Sequence, residues 1–206
     1  ELLLDDPAVL QIDQPIGHGG IAGAVGDQDQ RLAALVDQLL GPGGPPNKQP
    51  ANVHELIEYV VRLIEAEGAD HVTFERDYDP GLPLIDLDRA QIVQAFLNLV
   101  RNAAAALDGQ GTITLRSRAI TNFTIGDIRH RVLASIEIED DGPGIPQENL
   151  ERIFEPFFTT KEEGHGTGLG LAVSRGIVEK LGGRIEVENR PGRGCTFRLV
   201  LPRHRD

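Results

Sequence analysis

Three short stretches carry residue types whose spacing could do chemistry. In "QIVQAFLNLVRNAAAAL", Asn98 and Asn102 stand four apart, on one face of a helix. Carboxamides so placed can bind a hard cation through oxygen and donate to phosphate through nitrogen. Two surface asparagines on an ordinary helix would read the same. In "EDDGPGIP" (139–146), the aspartates Asp140 and Asp141 end a strand and Gly142 and Gly144 follow at alternate positions. Glycine permits close backbone approach to a ligand, and a buried Asp140 could accept from the amino edge of adenine. A plain turn also uses these residues. In "IFEPFFTTKEEGHGTGLGL" (153–171), Gly164, Gly166, Gly168 and Gly170 alternate just ahead of a helix. Free N–H groups at a helix start favour phosphate, and such loops move as lids. Lys161 within the segment could reach a phosphate. The competing reading is a flexible loop followed by a helix.

The elements that must position these residues can be read from periodicity and punctuation. "NVHE" offers Asn52 as an N-cap with Glu55 as its capping-box partner, opening a helix that runs to about Ala66. "HVTFERDY" (71–78) alternates like a strand, and "DPGLP" turns. A second helix starts near Asp88, with Gln91 as capping-box partner, and continues to Leu107. "TITLRSRAI" and "VLASIEIED" read as strands joined by an excursion at 121–131. A helix at about 170–181 and two strands, "RIEVEN" and "CTFRLVL" around "RPGRG", close the chain. The order αβαββαββ predicts an α+β fold, a two-layer α/β sandwich with helices on one face of a mixed sheet. Ahead of it, residues 1–40 read as an interrupted helical segment, best at 29–40, and "GPGGPPNKQP" (41–50) reads as a linker. The domain division is therefore 1–40, 41–50 and 51–206.

The composition excludes several classes. The 206 residues carry 20 Lys and Arg against 32 Asp and Glu, a net charge of −12, which disfavours a nucleic-acid binder. One cysteine, Cys195, permits neither a disulfide nor a cysteine-based zinc site and fits a reducing cytoplasmic setting. No apolar run approaches the ~20 residues of a membrane helix. No signal peptide is visible, and the start at Glu1 suggests a fragment of a longer protein.

Read in order, the motifs resemble the catalytic domain of sensor histidine kinases, a branch of the Bergerat-fold ATPases that also includes gyrase B, MutL and Hsp90. "NLVRNAAAAL" resembles the N box, "DDGPGIP" the first glycine box, "FEPFF" the F box and "GTGLGL" the second glycine box. The resemblance covers about 52–202 and implies ATP and Mg²⁺ as cofactors. It implies that Asn102 holds Mg²⁺ and that Asn98 and Lys161 act on the phosphates. Asp140 would accept from the adenine amino group, with Gly142 and Gly144 beside the base and Ile145 among the cofactor-binding residues. Gly166, Thr167, Gly168, Leu169 and Gly170 would sit at the triphosphate, and Thr196 would support the adenine. Hydrolysing members carry a glutamate where this chain has Asn98. An amide cannot act as a general base, so the resemblance implies a kinase rather than an ATPase. "FERDYDPGLP" and "TNFTIGDIRHRV" further resemble the nitrogen-regulation sensor kinases, soluble homodimers that phosphorylate a response regulator.

Such kinases place an acceptor histidine in a box ahead of the catalytic domain. Aligned on Pro15, "LQIDQPIGHGG" puts Leu10 where the histidine is expected and Gln11 where the acidic helper is expected. Leucine has no nitrogen to attack phosphorus. His18 lies eight residues on, among glycines, and reads as a solvated loop histidine rather than a substitute acceptor. The expected partners are a receiver domain, a histidine hairpin in trans or a signal-transducing regulatory protein, with no nucleic acid and no membrane. The alternatives are a nucleotide-binding pseudokinase and a Bergerat-type ATPase.

Overall fold

A computed structural model of the chain describes residues 9–10, 46–107, 109–125, 128–161 and 167–203. Its strands are β1 (Val9–Leu10), β2 (Gln49–Ala51), β3 (Val72–Tyr78), β4 (Ile85–Leu87), β5 (Gly111–Ile125), β6 (Ile128–Asp140), β7 (Arg184–Arg190) and β8 (Gly194–Pro202). The helices among the described residues are α1 (Val53–Ala66), α2 (Arg89–Ala106) and α3 (Gly170–Lys180), with one 3₁₀ turn at Gln147–Asn149. The main sheet has the order β1-β7-β8-β6-β5-β3. Its pairs are antiparallel except β3 with β5. The expected α+β sandwich is the fold observed.

Strand alternation sorts the sheet into two faces. Ile113 and Leu115 on β5, Ile136 and Ile138 on β6, and Phe197 and Leu199 on β8 enter one buried core with the helices. The intervening positions of the same strands carry an ion-pair ladder. Arg116 pairs with Glu139, and Arg198 pairs with Glu137 and Glu186. α1 buries Val53, Leu56, Ile57, Val60, Val61 and Ile64, a stripe at helical spacing. α2 buries Ile92, Ala95, Phe96, Leu99 and Ala103 in the same way.

Both expected helix starts are present. The Asn52 side chain accepts from the His54 amide at 3.0 Å and donates to Glu55 at 3.3 Å. Asp88 accepts from the amides of Ala90 and Gln91. The second arm of that box is not formed, because Gln91 Oε1 is buried without a hydrogen bond. Asp88 instead uses its other oxygen to accept from the Asn47 amide.

Two features depart from the expected order. β2 and β4, three residues each, form a separate two-stranded sheet and are too short to show an alternating pattern. The expected excursion at 121–131 is instead a continuation of the β5–β6 hairpin, paired Thr121 with Val132 and Ile125 with Ile128. β3 ends opposite Ser117, and β8 ends opposite Leu133. Beyond those points, among the described residues, each hairpin strand is paired only with the other. Of the expected helical segment 1–40, Val9 and Leu10 are strand, with Leu10 opposite Val187. His18 and the helix expected at 29–40 lie outside the described residues.

α1 is tied to the sheet by His54. Its Nε2 is 2.7 Å from Ser117 Oγ, and its ring stacks on Tyr78 at 4.7 Å. Burial holds its pKa below the ordinary histidine value, against the opposing pull of Asp79 and Glu58. The folded state therefore keeps His54 neutral where the unfolded chain takes up a proton. Stability should fall as pH drops below about 6.5. Thermal melts between about pH 7.5 and 5.5 should show that slope in the parent and a shallower one in His54→Gln. Equal slopes would remove His54 as the cause.

Candidate functional site

A cavity of about 540 Å³ opens between α2, the loop after β6, the segments at 158–161 and 167–171, and the start of β8. Its size suits a small-molecule ligand. Of the residues singled out in the sequence, Asn98, Asn102, Asp140, Gly144, Ile145, Lys161, Thr167, Gly168 and Gly170 line it. A larger groove of about 860 Å³ runs beside α1 at Tyr59 and Arg62 and contains none of them.

Asp140 ends β6 and is 4% exposed. Its Oδ1 accepts from the Gly142 amide at 3.1 Å. Burial pushes its carboxyl above the usual carboxylate range, while amide hydrogen bonds from Gly142 and Cys195 pull it back. It forms no ion pair with a described residue, so its acceptor capacity remains for a ligand. Gly142 does not line the cavity. A Cβ there would lie 2.9 Å from Asp140 Oδ1 and 3.1 Å from the Ala106 carbonyl, so this glycine serves the carboxylate rather than the ligand.

The two asparagines differ. Asn98 Nδ2 donates to the Gly170 carbonyl at 3.1 Å and lies 3.5 Å from Ser174 Oγ. It thereby fastens α2 to the first turn of α3. The Asn102 carboxamide, one turn along, makes no hydrogen bond to a described residue and lines the cavity. No side chain caps α3, and its first residues, Gly170 and Leu171, also line the cavity. Unsatisfied amides are available there.

Besides Gly142, two expected positions lie off the cavity wall and a third is not described. Leu169 is buried in the core as the residue before α3. Gly166 lies outside the described residues. Thr196 is not on the cavity wall. It stands opposite Glu139, whereas Cys195 stands opposite Asp140 and lines the cavity. Period-two alternation sends neighbours to opposite faces, so a one-residue offset exchanges the two. Cys195 and Phe197 were missed by the motif reading, and the alternation of "CTFRLVL" was the signal that could have found them.

Phe157 and Gly168 are pinched together. The Phe157 amide donates to the Gly168 carbonyl at 2.9 Å, and Phe157 has a φ of 68°. Gly168 has a φ of +65°, and a Cβ there would lie 2.3 Å from the Phe157 carbonyl carbon. Arg152 covers the Phe158 ring at 4.4 Å.

The profile of the family described as histidine kinase-, DNA gyrase B-, and HSP90-like ATPase matches residues 87–205, and the chain belongs to that family. Within it, the likeness is to histidine kinases. The sensory histidine kinase/phosphatase NtrB of Vibrio alginolyticus is 44% identical over 178 residues, covering 85% of this chain and 50% of that protein. The chain thus spans about half the length of that relative. The nucleotide-free catalytic domain of histidine kinase ThkA matches with a TM-score of 0.64 and 34% identity, over 76% of this chain and 95% of that one. ThkA in complex with response regulator protein TrrA matches with a TM-score of 0.65 and 29% identity, over 86% of this chain and 49% of that one.

The pinch makes Gly168 intolerant of a side chain. Gly168→Ala should lower stability by about 1–3 kcal/mol, read as a reduced melting temperature. At Gly170 an added Cβ would approach no atom closer than 3.7 Å, so Gly170→Ala should melt within about 0.5 kcal/mol of the parent. Equal tolerance at both positions would contradict the pinch.

Proposed function

We propose that this ATP-binding catalytic domain serves a cytoplasmic sensor histidine kinase of the nitrogen-regulation type. It would transfer the γ-phosphoryl group of ATP to a histidine, from which the group passes to a response regulator. The observation that carries the reading is the convergence of Asn102, Asp140, Lys161, Gly168 and the start of α3 on one cavity. The donor set fits the nucleotide. A buried carboxylate without a cation suits an exocyclic amino group, and uncapped amides with Lys161 suit phosphates. Mg²⁺ takes one or two protein oxygens and otherwise phosphate and water, which matches the unengaged carboxamide of Asn102. When bound, the ion would offset phosphate charge.

The residues of this chain orient rather than activate. Phosphoryl transfer needs positioning and charge stabilisation more than covalent chemistry. Asn98 supports transfer over hydrolysis, since its amide is no base and its nitrogen is engaged by Gly170 and Ser174. Leu10 at the acceptor position leaves the histidine to come from elsewhere, a hairpin in trans. The complex of ThkA with TrrA supports a receiver domain as partner, and family likeness supports a signal-transducing regulatory protein and a homodimer in the parent protein. Leu10 and Gln11 also favour a second reading, a pseudokinase that binds nucleotide without transfer.

Calorimetry should show Mg-ATP binding that Asn102→Ala abolishes. No binding to the parent would overturn the site. With γ-labelled ATP the chain should acquire no acid-labile label of its own but should label a histidine hairpin added in trans. Self-labelling would overturn the reading of Leu10, lack of trans-labelling would favour the pseudokinase, and steady phosphate release would favour an ATPase.

Asp140 gives a separable test. A carboxyl whose folded pKa is raised costs stability at pH values above its unfolded pKa. Asp140→Asn keeps an acceptor for the Gly142 amide and removes the buried charge. At pH near 7 it should melt above the parent while binding ATP roughly tenfold or more weakly. A lower melting temperature would contradict the burial argument.

A further inference from the structure

The loop that walls the base side of the cavity is held by a side chain two strands away. Asn189 lies on β7, is 8% exposed, and does not line the cavity. Its Oδ1 accepts from the Ile145 amide at 2.7 Å, and its Nδ2 donates to the Ile145 carbonyl at 2.7 Å. The carboxamide therefore pairs with Ile145 as a neighbouring peptide would, satisfying both of its backbone groups. Around this pair the packing leaves no slack. Gly144 has a φ of +74°, and a Cβ there would meet Asn189 Oδ1 at 2.9 Å and the Arg190 carbonyl at 3.1 Å. The Gly192 amide donates to the Pro143 carbonyl at 2.7 Å, a second tie between the same loop and the β7–β8 turn.

Register places this clamp in line with Asp140. Asn189 stands opposite Cys195 on β8, and Cys195 stands opposite Asp140 on β6. One cross-strand row thus carries the residue that grips the loop, a cavity-wall residue and the buried carboxylate. The distance from the Ile145 wall to Asp140 is then set by the width of two strand spacings and by the Asn189 bonds.

We infer that Asn189 is a positioning residue for adenine: it fixes the Gly144–Ile145 wall relative to Asp140, and so sets base affinity without touching the nucleotide. The inference rests on the ATP reading above. The two amide bonds to Ile145 have no other donor or acceptor among the described residues. Losing them leaves the loop on the base side of the cavity held to the β7–β8 turn by the Gly192–Pro143 bond and leaves the phosphate side, formed by α2, Lys161 and α3, as it was.

The test compares adenosine, ATP and inorganic tripolyphosphate as ligands of the whole chain and of Asn189→Ala. The expected result is a roughly tenfold weakening for adenosine and for ATP, with tripolyphosphate changed by less than about twofold. Hydrogen exchange at the Ile145 amide should accelerate in the same variant. If adenosine and ATP bind within about twofold of the parent, the positioning role is overturned. An equal loss for tripolyphosphate overturns it too, because the damage is then not confined to the base side. Should Asn189→Ala not melt cooperatively, Asn189→Asp is judged by the same outcomes. It has the same shape, still accepts from the Ile145 amide and cannot donate to the carbonyl. A parent that binds neither nucleotide nor adenosine defeats the ATP reading and this inference with it. Unchanged Ile145 exchange in the variant defeats the clamp alone.

Discussion

Asp140 is held out of water, with no ion pair to a described residue, at the end of an interior strand. Taking a carboxylate from water is costly unless hydrogen bonds replace its hydration, and here the replacements are backbone amides. One comes from Gly142 in the following loop and one from Cys195 on β8. Bringing β8 that close at its first residues requires Gly194, whose φ is +105° and whose Cβ would lie 1.8 Å from the Asp140 carbonyl oxygen. The loop must also fold back over the carboxylate, which puts Gly142 against Ala106 and Gly144 against Asn189 and Arg190. The spacing of Gly142, Gly144 and Gly194 is thus set by close backbone approach around the buried carboxylate. It is a requirement of the folded protein before any ligand arrives.

The parts of the fold that were legible in the sequence are those with local causes. Asn52 and Asp88 cap their helices through atoms two and three residues away. α1 announces itself by an apolar stripe that needs no knowledge of its partner. The order of motifs located the cavity for the same reason, since each box is a short segment with its own turn chemistry. What was not legible depends on cross-strand position. β2 and β4 are visible only through each other. Beyond Ile120 the two hairpin strands pair only with each other among the described residues. The exchange of Thr196 for Cys195 on the cavity wall is a matter of register, which a shift of one residue reverses. The helix face puts Asn98 beside Asn102, but its bond to a carbonyl 72 positions later is a contact no local pattern encodes.

The two helices that carry the cavity are also fixed at their far ends. Asn47 donates to Asp88 at the start of α2, and Lys48 donates to the Leu181 carbonyl at the end of α3. Asn98 lies ten residues from Asp88, and Gly170 lies eleven from Leu181, so each contact is about 15 Å along its helix axis from the site. The residues entering the domain therefore meet both helices at the ends opposite the cavity. α2 and α3 are joined again at the site itself by Asn98 Nδ2, which donates to the Gly170 carbonyl at 3.1 Å and lies 3.5 Å from Ser174 Oγ.

That second junction bears on the choice between transfer and hydrolysis. A general base must present a lone pair to the attacking oxygen. The Asn98 side chain spends its nitrogen on α3, and its oxygen is an amide oxygen, a weak base at any pH the fold tolerates. Replacing Asn98 by a glutamate would supply a base and at the same time set a carboxylate against the Gly170 carbonyl, where an N–H now donates. The helix junction and basic catalysis therefore make opposite demands on one side chain. In this chain the junction prevails, and the Asn98 side chain supplies no general base.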